Sequence, residues 1–158
     1  MTQNRWLVVG IGNTLRRDDG LGPWMASQIA EWNLPGVRVR TVFSVTPELA
    51  ADIAEADAVL FLDACREPSP LVWREIGKAK PEMTVGHALT PETLLALAGS
   101  VYGRMPSAWV LPVEGFDFDF GEGLSLSAEQ NGVAALAWLR LELPSTPPRS
   151  TRLCTKSA

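Results

Sequence analysis

Three side chains in this sequence have the types and placement for chemistry: Asp19, Asp63 and His87. Asp19 closes the segment GIGNTLRRDD (residues 10–19), which follows the apolar run WLVV at 6–9. Asp63 comes directly after a second apolar run, AVLFL at 58–62. An acid closing a buried strand is costly to desolvate unless something pairs with it, although an aspartate there also suits a simple loop cap. His87 is the sole histidine and stands three residues before Thr90-Pro91-Glu92, a strong helix start. The positive end of that helix dipole disfavours imidazolium and keeps the ring in its neutral, metal-binding form. Together the three offer two carboxylate oxygens and one imidazole nitrogen. That mixed donor set suits a divalent transition metal with open coordination positions. A lone histidine is more often structural, and spacing alone does not bring three separate loops together.

Other chemistries fit less well. A dinucleotide fingerprint needs a third glycine where Leu15 stands, and a phosphate loop needs Gly-Lys-Ser/Thr, which is missing. Asp18 and Asp19 side by side would also repel a pyrophosphate. Gly10 and Gly12 can equally be read as a tight turn with solvated charges. No GxSxG motif supports a serine nucleophile. Cys65, two residues past Asp63, is expected to be a buried and inert thiol. The six tryptophans fall one to an element, which points to packing rather than a stacking platform.

The elements that must position these residues can be read from periodicity. WLVV at 6–9 reads as a buried strand running into the glycine turn. Residues 23–32 read as a helix with Pro23 at its first position. Residues 37–43 alternate as a half-buried strand, and Thr46-Pro47-Glu48 opens a helix to about residue 55. Residues 58–62 form a strand ending at Asp63, and 71–76 a short strand at an edge. Residues 77–90 read as a loop, followed by a helix from Thr90 and a strand at 108–113, where Pro112 is awkward unless near an end. The segment 114–126 is a glycine-rich, acidic loop. Ser127 and Gln130 suggest a capping box for a last helix to about 143, apolar enough to be well buried. The order β-α-β-α-β-(β)-α-β-α predicts an α/β three-layer sandwich, with a mostly parallel twisted sheet flanked by helices. Ligands in such sheets bind at the carboxyl ends of the strands. Asn13, Asp18, Asp19 and Asp63 all fall there.

The chain's 158 residues suit one domain, expected over 1–143, with a disordered tail at 144–158 rich in Pro, Ser and Thr. A formal net charge of −4 and no basic cluster argue against nucleic acid or an anionic membrane as partner. The N-terminus carries no signal-peptide pattern. Cys65 and Cys154 lack any metal or disulfide spacing, which favours a reduced, cytoplasmic protein.

Three stretches, VVGIGNTLRRDDGLGP, AVLFLDAC and GHALTPETLLAL, together resemble the hydrogenase maturation endopeptidases. Those proteins place an apolar strand, GxGN, a spacer and an acidic pair before a helix, then a strand ending in Asp, then a His just before a helix. The resemblance spans about residues 5–143 in the same order. It implies a nickel-dependent, aspartyl-endopeptidase-like hydrolase with metal-contacting side chains at Asp19, Asp63 and His87; some members carry Glu at the first position. It implies as substrate the precursor of a hydrogenase large subunit, whose short C-terminal extension is removed once nickel is in place. The nickel then comes with the substrate rather than residing in the enzyme. FSVTPELAADI departs from the glycine-rich stretch of several members and is more like the branch serving soluble, cytoplasmic hydrogenases. In this reading Asn13 and Asp18 shape the loop or contact substrate, and Asp19 or Asp63 can serve as a base if the metal does not activate water itself. A metal-dependent binding or chaperone module that does not cut would use the same three residues; a small-nucleotide hydrolase or binder on a similar sheet is a further reading, against which the missing phosphate-loop chemistry counts.

Overall fold

A computed structural model describes residues 5–76 and 89–143. Five strands form one sheet in the order β2-β1-β3-β5-β4. They are β1 (Trp6–Ile11), β2 (Val37–Val42), β3 (Ala58–Cys65), β4 (Arg74–Glu75) and β5 (Ser107–Glu114). The first three and β5 run parallel, while β4 is antiparallel to β5. Four helices flank the sheet: α1 (Leu21–Glu31), α2 (Leu49–Glu55), α3 (Pro91–Tyr102) and α4 (Leu126–Glu142).

Strand alternation divides the core in two. Trp6, Val8, Leu60, Leu62, Trp109, Leu111 and Val113 face α1 and α4, whereas Leu7, Val9, Ile11, Val59, Phe61 and Ala108 face α2 and α3. Both sheet faces are covered, so the central strands are apolar throughout and β1 has no exposed residue. The expected three-layer α/β architecture is the one observed. At one end, Trp6, Trp73, Trp109 and Trp138 pack ring against ring with centroids 4.8–6.1 Å apart. These four tryptophans serve packing.

Several boundaries differ from the sequence expectation. Asp63 lies inside β3 rather than after it, because β5 continues beside β3 as far as the Cys65–Glu114 pair. Helix α1 begins at Leu21, two residues early, because a 3-10 turn at Arg17–Gly20 already supplies a carbonyl to the Leu21 N–H. Helix α2 begins at Leu49; the carbonyls of Thr46 and Pro47 accept from the Leu49 and Ala50 N–H groups. The edge strand shrinks to two residues, and since it pairs only with Trp109 and Val110, Pro112 breaks no ladder on that side.

Helix α4 is capped by Ser125 and not by Ser127. It buries one face through Ala128, Gly132, Ala135, Leu136 and Leu139, while Val133 and Leu141 are exposed. The sheet can cover only one stripe of an outer helix, whatever the composition of the other side. The expectations for the 77–88 loop and the 144–158 tail lie outside the described residues.

Thr90 caps α3 as expected, its hydroxyl oxygen accepting from the Thr93 N–H at 3.2 Å. Thr90→Ala should cost about 1 kcal/mol, measured by urea unfolding. An unchanged midpoint would mean that the cap contributes nothing. Among the described residues, no helix is long and apolar enough to cross a membrane.

Candidate active site

The carboxyl ends of β1, β3 and β5 carry the site. Ile11 is level with Asp63 on β3, and Asp63 with Pro112 on β5. After Ile11 the chain turns sharply at Gly12 (φ 152°), runs through Asn13–Arg16 and enters the 3-10 turn that holds Asp18 and Asp19. Gly12 has no substitute. A Cβ there would overlap the carbonyl oxygen of Asp19 and lie 3.4 Å from Pro23 Cδ.

Asn13 organises this loop. Its backbone N–H donates to Asp19 Oδ2 at 2.7 Å, and its side-chain Oδ1 accepts from the Leu15 N–H at 2.9 Å. The side chain is thereby spent on a local Asx turn. Asp19 is half-buried, and among the described residues nothing bonds its other carboxylate oxygen.

Asp63 is half-buried as well, on the sheet face shared with Val59 and Phe61. Burial, reinforced by the like charge of Asp19, pushes its carboxyl up to about 6, against a weaker opposing bond from the Ala64 backbone. The two carboxylates, one from the 3-10 turn and one from β3, therefore lie within each other's field at the end of the sheet. Like charges so placed repel each other, and a bound cation would relieve that repulsion.

Asp18 points the other way. It is 0% exposed and the only buried charged side chain among the described residues. Its carboxylate accepts from the N–H groups of Phe116 and Asp117 at 2.8 Å, and from the Ser125 N–H and hydroxyl at 2.7 Å. Burial pushes this carboxyl up, but those backbone donors and the hydroxyl outweigh it and hold the group below the ordinary aspartate value. Asp18 was expected to shape the loop or contact substrate; it is fully buried and bonded to the 115–125 loop.

Cys65 follows on the same face as Asp63. Burial, then the carboxylates of Glu114, Asp63 and Glu67, push its thiol up despite an opposing bond with Ser69. A thiol so placed is a poor nucleophile. His87 lies outside the described residues. Helix α3, which it precedes, ends just before the amino end of β5 and so presents its Thr90 end toward the carboxyl ends of the strands. Among the described residues, no three His, Cys, Asp or Glu side chains converge to hold a metal ion.

A cavity of about 150 Å³ opens beside this loop, lined by Thr14, Arg17, Gly20, Trp24, Gly123 and Leu124. Elsewhere Arg16 stacks on the exposed Phe120 ring and Arg66 on Phe118, at 4.3 and 4.1 Å from the ring centres. No protein-family model matches this sequence, and no curated protein matches it. Solved structures do match.

The fold is that of the hydrogenase maturation proteases. The [NiFe] hydrogenase maturation protease HycI of Thermococcus kodakarensis KOD1 is 18% identical, with a TM-score of 0.67 over 86% of this chain and 90% of its own. The maturating endopeptidase HybD of E. coli is 22% identical, with a TM-score of 0.62 over 87% and 93%. A hydrogenase 2 maturation peptidase from a Thaumarchaeota archaeon is 24% identical, with a TM-score of 0.62 over 89% and 99%. The alignment spans nearly the whole of each of these proteases.

Two residues that shape this site are not marked by the sequence pattern. Gly22 lets α1 approach the sheet, since a Cβ there would overlap the carbonyl oxygens of Ile11 and Leu62. Ser125 caps α4 and bonds Asp18 at once. The GLGP stretch after the acidic pair was a legible hint of the first; nothing local marks the second.

Proposed function

We propose that this chain is an endopeptidase that removes the C-terminal extension from the nickel-loaded precursor of a hydrogenase large subunit. The observation that carries the reading is the paired acids Asp19 and Asp63 at the carboxyl ends of β1 and β3, on a fold shared with maturation proteases. Nickel belongs to the substrate. Asp19 and Asp63 supply oxygens to it and His87 a nitrogen, which suits a borderline divalent ion. Engaging the ion relieves the repulsion between the two acids, and so favours the ion-bound state. The carboxylates hold the ion beside the scissile peptide, where it polarises the carbonyl or acidifies an attacking water. Asp19 or Asp63 serves as the base where the ion does not activate the water itself. Asn13 sets the orientation of Asp19. The reading places the enzyme in the cytoplasm, where hydrogenase subunits of the soluble branch are assembled.

The test uses nickel-loaded precursor incubated with wild type and with Asp19→Ala, Asp63→Ala and His87→Ala. Mass spectrometry should show a shortened precursor with wild type, and cleavage slowed at least ~100-fold by each substitution. Full cleavage by all three variants rejects the site. An unshortened precursor with wild type rejects the peptidase.

A further inference from the structure

The proposed reaction makes no use of Asp18, the one fully buried charged side chain among the described residues. We infer that Asp18 is a positioning residue, clamping the 115–125 loop onto the 13–20 loop so that Asp19 is held in place against Asp63; this rests on the proposed site.

The clamp is built from both sides. Asp18 donates its backbone N–H to the Asp117 carbonyl at 2.9 Å, and Asp117 returns its own N–H to Asp18 Oδ2. One turn away, the Arg17 N–H donates to the Gly121 carbonyl at 3.0 Å, and the Gly121 N–H to the Leu15 carbonyl at 2.9 Å. Arg17 takes a left-handed conformation (φ 44°) to allow this. Gly115 is packed so closely that a Cβ there would lie 2.8 Å from Asp18 Cβ. The far end of the clamp is Ser125, which also starts α4.

A carboxylate is required because all four groups facing it are donors. Asparagine would turn an N–H₂ toward some of them. Asp18 and Asp19 are consecutive in a 3-10 turn of four residues, so displacement of one backbone position moves the next. The Asn13 N–H, bonded to Asp19, reports that displacement. Misplacement of a reacting group by about 1 Å can cost ~100-fold in rate.

The experiment compares full-length wild type, Asp18→Asn, Ser125→Ala and Leu136→Ala at a temperature where circular dichroism shows each fully folded. Leu136→Ala removes core from the same helix α4 without touching the clamp. Asp18→Asn should lower kcat on nickel-loaded precursor by ~10–100-fold with KM within about threefold, and should raise amide exchange at Asn13 above the molecule-wide change. Ser125→Ala should shift both readouts in the same direction by a smaller factor. Leu136→Ala should leave kcat and the selective Asn13 effect unchanged. If wild type cleaves and folded Asp18→Asn keeps its kcat, the clamp is merely structural and the inference falls. If wild type does not cleave, the peptidase reading fails instead, and uniform exchange at Asn13 in Asp18→Asn then overturns the clamp on its own.

Discussion

Asp63→Asn should abolish cleavage and at the same time stabilise the protein at pH 8 by about 1–3 kcal/mol. Burial and the neighbouring charge of Asp19 raise the Asp63 carboxyl from 3.8 to about 6. The folded state therefore keeps a proton that the unfolded chain has released. Stability falls as pH rises between those two values, and above the upper one the whole cost of an ionised Asp63 is present. Two pH units at ~1.4 kcal/mol each set its scale. Asparagine keeps the shape and can still accept from the Ala64 backbone, but it carries no charge to desolvate.

Urea unfolding followed by tryptophan fluorescence at pH 4 and pH 8 measures the effect. The advantage of Asp63→Asn should be near zero at the lower pH and full at the higher. An equal advantage at both would show that ionisation of Asp63 is not its source. Asp19→Asn should recover part of the same gain by removing the like charge. A group that weakens the fold where it is ionised is the expected mark of a site kept for function.

Gly22→Ala should cost at least ~3 kcal/mol and leave little soluble protein at 37 °C. On helix propensity alone, alanine in α1 should help by nearly 1 kcal/mol. Packing reverses the sign. The added methyl would overlap two backbone oxygens, of Ile11 and Leu62, and sit 2.8 Å from the Ile11 nitrogen. Backbone atoms of two central strands cannot step aside, so α1 must lift. The 3-10 turn bearing Asp19 lifts with it, which links this packing defect to the site.

The contrast is Gly99 in α3, where a Cβ meets only Met105 at 3.5 Å or more, an ordinary contact. Gly99→Ala should stabilise by about 0.5–1 kcal/mol. Thermal melts of the two variants compare them directly. Similar gains for both would mean that α1 does not lie as close to the sheet as described.

Much of this architecture could be read locally. Apolar runs located β1 and β3, alternation located β2, and Thr90-Pro91-Glu92 marked the start of α3, because caps and periods depend on neighbouring residues only. What failed was non-local. The end of β3 depends on how far β5 runs beside it, fifty residues away. Ser127 and Ser125 are equally good caps by composition; Ser125 was chosen because Asp18 reaches it from 107 residues earlier. Val133 and Leu141 are apolar yet exposed, because only one side of α4 meets the sheet.

The acidic pair makes the division clearest. Local residue types were enough to place two aspartates after a glycine turn that follows a buried strand, and a third toward the carboxyl end of another strand. They could not say which of the pair turns inward. In a 3-10 turn consecutive side chains diverge by about 120°, so the two cannot both face the cleft. The 115–125 loop, folding back from the end of β5, brought its N–H groups to Asp18 and left Asp19 to Asp63. Only tertiary structure makes that choice, because the donors that decide it lie about a hundred residues away.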